Sequence, residues 1–317
     1  MNQKPLISII IPVYNGGDYV KEAIDSALSQ TYENFEVLVI NDGSKDEGIT
    51  EKIALSYGDK IRYFYKENGG VSSALNLGIA NMKGEYFSWL SHDDKYEPRK
   101  IENQINLLLA QNDKKLLALC GNRQIDKNSK FLNEKPKIYF KQGEIVGWEK
   151  ALGYMLDKGV YGGCDFLIPN TAFDECGGFD ESLRYTQDMF MWLKMFLAGY
   201  GIVYDDTPDS LTRIHNAQLT QTGRVLYYEN CEKMAKFLIP AFIETTTKEN
   251  KLLYYYGKYN AKYAVKIVWK KVLRVGKEEK ILPIFQRLKI RIVAIYGNVR
   301  PWIRKVYYRV FKKVKTQ

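Results

Sequence analysis

The sequence predicts an α/β protein with a mostly parallel, doubly wound central sheet flanked by helices, and a helical C-terminal region. Three observations carry this expectation. Over the first two-thirds of the 317 residues, short apolar runs alternate with amphipathic helical stretches across short connections, the rhythm of successive βαβ units. Polar clusters stand directly behind the apolar runs. Beyond about residue 224 the pattern turns helical, and towards its end strongly basic.

The run 6–13 (LISIIIPV) is apolar and rich in β-branched residues, as a strand buried on both faces requires. Pro12 and the following YNGG end it. Asp18 to Gln30 reads as a helix with Val20, Ile24, Ala27 and Leu28 on one face. A second strand spans 35–40 (FEVLVI) and stops at NDGS. A helix over Asp46–Tyr57 leads to a third strand at 61–65, and a Gly-Gly turn to a helix over Ser72–Met82. The fourth strand, 85–90 (EYFSWL), runs into Ser91-His92-Asp93-Asp94. Pro98 opens the next helix, which extends to about Gln111, and 115–120 is a fifth strand. Between 123 and 160 the signal weakens to loops, an edge strand and a helix near 148–157. It returns at 163–168, in a helix over Gln187–Ala198, and in strands at 201–205 and 210–214.

Parallel sheets bind ligands beyond the carboxyl ends of their strands, so the polar residues there are the candidate site: Tyr14-Asn15, Asn41-Asp42, Lys66 to Gly70, and His92-Asp93-Asp94. Asp93 and Asp94 repel each other unless a cation or protein donors intervene. A hard divalent ion with phosphate oxygens would satisfy them, and so would capping of free helix amides. Asp42, followed by Gly43-Ser44, either accepts bonds from a base or ribose or closes an Asx-turn. Asp188 opens a helix, where it is a general base or a partner of the helix dipole. His215 is one of two histidines and is either a metal or phosphate ligand or a structural residue. Arg213 pairs with a diphosphate or with a surface carboxylate.

The stretches SIIIPVYNGGDYVKEAIDSALSQTYENFEVLVINDGSKD, KENGGVSSALNLGIANMKGEYFSWLSHDD, IPNTAFDECGGFDESLRYTQDMFMWLKM and RIHNAQLT occur in the order of glycosyltransferase family 2. The chain resembles that family over about residues 5–220. The resemblance implies the GT-A fold and inverting, metal-dependent transfer of a sugar from a nucleotide diphosphate, UDP in the first instance. Pro12, Val13, Tyr14 and Asp42 would surround uracil and ribose, with Lys66, Asn68, Gly70 and Asn76 lining the same pocket. Asn15, His92, Asp93 and Arg213 complete the expected donor contacts. Asp94, Asp93 and His215 would hold Mg²⁺ or Mn²⁺, and Asp188 matches the catalytic base. Three positions depart from the family pattern: Ser91 where an acidic residue is frequent, Leu75 for an arginine, and Gln187 for the glutamate before the base.

Charge divides the chain into an expected catalytic domain over 1–224 and a basic region over 225–317. Residues 251–317 hold 19 Lys and Arg against Glu278 and Glu279, a net +17 that leaves the remainder at −7 of the total +10. Cationic and aromatic residues interleaved on helices suit an anionic membrane interface. The expectation is a protein on the inner face of the cell membrane, acting on a lipid-linked saccharide acceptor; a solvated basic face of a helical subdomain is the other reading. No nucleic-acid motif accompanies the charge. There is no apolar leader and no uninterrupted apolar run of about 18 residues, so neither a signal peptide nor a spanning helix is expected. Cys120, Cys164, Cys176 and Cys231 lie far apart and read as reduced thiols in a cytoplasmic protein, not as zinc ligands. No G-x-G-x-x-G follows the first strand, which argues against a dinucleotide-dependent oxidoreductase. A nucleotidyltransferase and a non-catalytic carbohydrate-binding protein are the rival readings.

Overall fold

A computed structural model describes residues 4–132, 135–158 and 161–215. The chain divides into two compact units, Met1–Ala151 with Tyr161–Gly223, and Leu152–Val160 with Arg224–Gln317. The sheet belongs to the first. The helical C-terminal region expected from the sequence lies outside the described residues.

The first strand, β1 (Ile7–Val13), is buried at every position, as its unbroken apolar run demands. It pairs in parallel with β2 (Phe35–Asn41) on one side and β4 (Tyr86–Trp89) on the other; β3 (Arg62–Tyr65) continues beyond β2, also parallel. Val13 lies opposite Asn41, and Asn41 opposite Tyr65, so the chain leaves these strands at one edge. The loops after β1, β2, β3 and β4 are the four polar clusters.

Helices α1 (Val20–Leu28), α2 (Ile49–Leu55), α3 (Val71–Asn81) and α4 (Lys100–Leu109) connect this half. α1 buries Val20, Ala23, Ile24 and Ala27, close to the stripe the sequence shows. α2 is shorter than the sequence suggests because Gly48, at φ 80°, stops the helix from extending towards Asp46. α3 packs closely on β1 through Gly78, where a Cβ would come within 2.5 Å of Ile10.

The second half departs from a wholly parallel arrangement. β5 (Lys95–Tyr96), β6 (Leu116–Ile125), β7 (Ile145–Val146), β8 (Phe166–Pro169) and β9 (Gly201–Arg213) complete a sheet of order β3-β2-β1-β4-β8-β6-β9-β5, with β7 on β9. β8 runs antiparallel to both β4 and β6, while β6 and β9 are parallel. The two strands expected at 201–205 and 210–214 are one. Cys120 pairs with Asp205 and Asn122 with Ser210, so residues 206–209, including Pro208, bulge out of a continuous strand.

α5 (Trp148–Lys158) and the short α6 (Thr171–Cys176) precede α7 (Gln187–Leu197). α7 buries Met189, Phe190, Met191, Trp192, Leu193, Met195 and Phe196, nearly its whole circumference. Aromatic rings tie it to the sheet: Trp192 lies 4.5 Å from Phe166 of β8, and Phe179 bridges Trp192 and Trp89 of β4 at 6.3 and 5.8 Å. Among the described residues, no helix is long and apolar enough to cross a membrane.

Gly84, before β4, donates its N–H to Ser8 Oγ at 2.9 Å, and a Cβ there would stand 2.6 Å from the Ser8 nitrogen. Gly84→Ala therefore presses on the β1 backbone, and a loss of about 1–3 kcal/mol in urea unfolding is expected. An unchanged midpoint would show that β1 and β4 give way there freely.

Candidate active site

At the end of β1, Pro12 offers its carbonyl to His92, and the Val13 carbonyl accepts the Asp42 N–H at 2.8 Å. Tyr14 is 42% exposed. Asn15, in the left-handed region at φ 52°, accepts the Lys45 N–H on Oδ1 at 2.7 Å and donates its own N–H to Ser44 Oγ at 2.9 Å. The first two loops are therefore cross-linked by Asn15.

Asp42 is 3% exposed, and its carboxylate organises the third loop. Oδ1 accepts Lys66 Nζ at 2.8 Å and the Gly69 N–H at 3.0 Å. Oδ2 accepts the Gly70 N–H at 2.8 Å and Asn68 Nδ2 at 3.3 Å. Four donors meet roughly the four acceptor positions of a carboxylate. Gly43, at φ 71°, lets the loops touch; a Cβ there would fall 2.7 Å from the Asn68 nitrogen. Asp42, Lys66, Asn68 and Gly70 thus come together as expected. Asn76 does not join them. Its side chain donates to the Phe179 carbonyl and to Glu181 at 2.9 Å each and accepts the Phe179 N–H at 2.8 Å, which pins the turn after α6.

The carboxylates after β4 face different ways. Asp93 Oδ2 lies 3.0 Å from His215 Nε2, in a pair packed beside the Tyr19 ring. Asp94 is buried, accepting the Arg213 N–H on Oδ1 at 2.9 Å and the Cys164 thiol on Oδ2 at 3.3 Å. Burial, then the neighbouring Asp93 charge, pushes the Asp94 carboxyl well above the usual range. Burial likewise lowers the His92 imidazole, against the pull of Asp93.

Arg213 takes the second of the two roles the sequence allows, a pair with a carboxylate: its side chain is 0% exposed and serves as an internal clamp. Nε donates to the Asp93 carbonyl at 2.7 Å. Nη1 reaches the Asp126 and Lys127 carbonyls at 3.2 Å and Ser129 Oγ at 3.1 Å; Nη2 pairs with Glu22 at 3.3 Å. The guanidinium also lies over the Tyr19 ring at 4.5 Å. Glu22, Ser129 and Cys164 are therefore parts of the site's frame that sequence reasoning missed. No local pattern marks them, because their partners lie 70 or more residues away.

Asp188 sits in the first turn of α7, behind Thr186 in the left-handed conformation at φ 62°. Its carboxylate accepts the Met189 N–H at 2.7 Å. Burial outweighs that bond and raises its pKa to about 6. A carboxyl that titrates there exchanges protons near neutral pH, which suits a general base. Among the described residues, Gln187 Oε1, beside it, is buried with no hydrogen-bond partner.

The family model of glycosyl transferase family 2 matches residues 8–172. A Rickettsia bellii glycosyltransferase is 44% identical over 307 residues, which cover 92% of this chain and 43% of that protein. A Rickettsia typhi glycosyltransferase is 53% identical over 222 residues, 69% of this chain and 67% of its own. This chain thus spans less than half of the Rickettsia bellii relative. In fold it is similar to S. aureus TarS 1–349, crystallised with UDP-GlcNAc, at TM-score 0.67 and 15% identity, covering 92% of this chain and 88% of that one.

Removal of the clamp leaves Glu22 and the carbonyls of Asp93, Asp126 and Lys127 short of a donor. Arg213→Met is expected to lower unfolding stability by about 1–3 kcal/mol, the cost of leaving hydrogen-bond acceptors without their donor. Chemical denaturation measures this; a loss below about 1 kcal/mol would show the clamp to be idle.

Proposed function

The chain belongs to glycosyl transferase family 2 and is a glycosyltransferase; on that premise we propose an inverting, divalent-metal-dependent transfer of a sugar from a UDP-linked donor to a hydroxyl of a saccharide acceptor. The observation that carries this reading is the pairing of two features. One sheet edge gathers the Asp42 cradle and the Asp93–His215 pair. The helix that presents Asp188 is anchored through Phe179 to the strand that leads to Asp93.

In this reading Tyr14, Pro12, Val13 and the Asp42–Lys66–Asn68–Gly70 cradle receive the nucleoside. A new bond to Asp42 requires one of its four donors to yield, and Asn68, at 3.3 Å, is the weakest. Asp188 accepts the proton of the acceptor hydroxyl. The freed oxygen attacks the anomeric carbon on the face opposite the diphosphate, and the bond from that carbon to the phosphate oxygen breaks. The nucleoside diphosphate departs, Asp188 keeps the proton, and the sugar's configuration inverts.

Asp93, Asp94 and His215 would hold Mg²⁺ or Mn²⁺. Among the described residues no three His, Cys, Asp or Glu side chains are grouped to enclose an ion by themselves. In this reading the ion takes one or two carboxylates, and phosphate oxygens and water complete its shell. When bound, such an ion neutralises charge on the leaving diphosphate.

We assign catalysis to residues 1–224 and membrane attachment to the basic region 225–317, whose residues 251–317 carry the +17 charge. The enzyme then works at the cytoplasmic face of the membrane on a lipid-linked acceptor. Flotation with vesicles rich in anionic lipid tests this: the full chain is expected to float and a chain ending at residue 250 to remain below. Equal partitioning would remove the attachment.

Asp188→Asn is expected to bind UDP-sugar with Mn²⁺ as the parent does, read by thermal shift, yet to lose transfer by about 10²-fold or more. In the parent, transfer should fall as pH drops below about 6. The carboxyl binds its proton more tightly folded than unfolded, so its contribution to stability declines as pH rises from about 4 to about 6. The Asn variant escapes that decline and should gain roughly 1–2 kcal/mol at pH 7 after discounting partial exposure. Full transfer activity in the variant would unseat Asp188 as the base.

A further inference from the structure

Cys164 is buried at 4% exposure and touches the Asp94 carboxylate. Its Sγ lies 3.3 Å from Asp94 Oδ2 and 3.4 Å from Ser91 Oγ, and it accepts the Ser91 N–H at 3.2 Å. A thiol has one proton to give. The shorter of the two contacts is to Asp94, so the proton points to its Oδ2 while the sulfur lone pairs receive the Ser91 N–H. Asp94 thereby holds one donor on each oxygen, the thiol on Oδ2 and the Arg213 N–H on Oδ1. Two donors from different segments fix the plane of the carboxylate.

The turn that carries Cys164 is held in turn. Asp165, 1% exposed, accepts the Gly162 N–H at 3.1 Å, Asn122 Nδ2 at 2.9 Å and the Tyr139 hydroxyl at 2.9 Å. Gln104 donates to the Asp165 carbonyl at 2.8 Å. Gly163 lies against Trp89, where a Cβ would stand 2.5 Å from the indole ring. A cysteine that only filled space would need none of this, since a small apolar side chain would serve equally.

We propose that Cys164 is a positioning residue for the donor side of the reaction, its thiol holding the Asp94 carboxylate in place from the turn before β8. The proposal rests on the metal-dependent transfer argued above. It also accounts for Ser91. A carboxylate at that position would lie against the sulfur and add a third negative charge beside Asp93 and Asp94, whereas serine leaves the sulfur free to serve Asp94. Through Tyr139 and Asp165, the same turn links the stretch after β6 to the carboxylate.

Two measurements on the full chain test this. Mn²⁺ binding in the presence of UDP, followed by electron paramagnetic resonance of the free ion, should weaken about tenfold in Cys164→Ala, the effect expected when a ligand loses its supporting hydrogen bond. Cys164→Ser, which keeps a donor, should recover most of that loss, and Cys176→Ala should leave binding unchanged. Parent-like affinity in Cys164→Ala would overturn the proposal. Independently of metal, the infrared S–H stretch assigned by difference from Cys164→Ser should move to higher frequency in Asp94→Ala. A band that stays put would also overturn it. Failure of the parent itself to bind Mn²⁺ with UDP would count against metal-dependent transfer and leave the thiol bond to be decided by the infrared band.

Discussion

Two adjacent carboxylates at a strand end are an electrostatic problem, and here each meets its own partner: His215 at Asp93, and the backbone N–H of Arg213 at Asp94. Asp93 and Asp94 emerge where β4 stops, with little solvent to screen them. Arg213 engages Asp93 through its carbonyl and Asp94 through the backbone N–H of the same residue. Its remaining donors bind the 126–129 turn and Glu22 of α1, so one side chain ties together β9, the β4 loop, the turn after β6 and the first helix. A lysine would supply the charge without the planar fork that makes these contacts simultaneous. His215 follows two residues later, so its approach to Asp93 is set by the same anchor.

The same logic operates at Asp42. A carboxylate at the end of β2 gathers Lys66, Asn68 and two backbone amides, so the loop after β3 takes its shape from a charge on β2. Preorganisation of this kind means that a ligand meets a loop already in place and the ordering entropy is not charged to binding. The two carboxylate systems differ in how many donors they gather: among the described residues Asp42 takes four, whereas each oxygen of Asp94 takes one.

The half of the fold built from unbroken apolar runs was legible in the sequence. β1, β2 and β4 are recognisable because a strand buried on both faces is built mainly from apolar, β-branched or aromatic residues, and the polar residues that end each run mark the sheet edge. What escaped depends on distant pairing. One strand reads as two at 201–213 because a four-residue bulge containing Pro208 looks like a turn, and only the register with β6 shows that pairing resumes. Arg213 and Asn76 have the composition of ligand-binding residues, yet their partners lie about a hundred residues away in the chain. Nothing local separates an arginine that grips a substrate from one that grips the protein. Cys164 went unmarked for the same reason: spacing rules detect paired thiols, and this one is paired with a carboxylate.

The placement of Asp188 balances three opposing demands. At the first turn of α7 the free amides favour its ionised form, and the Met189 N–H bonds it directly. Burial favours the neutral form and wins, which lifts the carboxyl to about 6. Neither influence alone would serve. An exposed helix-start carboxylate would be too weak a base, and one buried without amides would stay protonated through neutral pH. The left-handed Thr186 adds a conformational cost of order 1–3 kcal/mol that only a firmly held helix can sustain. α7 is such a helix, since it is buried almost all round and locked to β8 by Trp192 and Phe166. The apolar packing of α7 thus fixes where the proposed base stands and also raises its proton affinity.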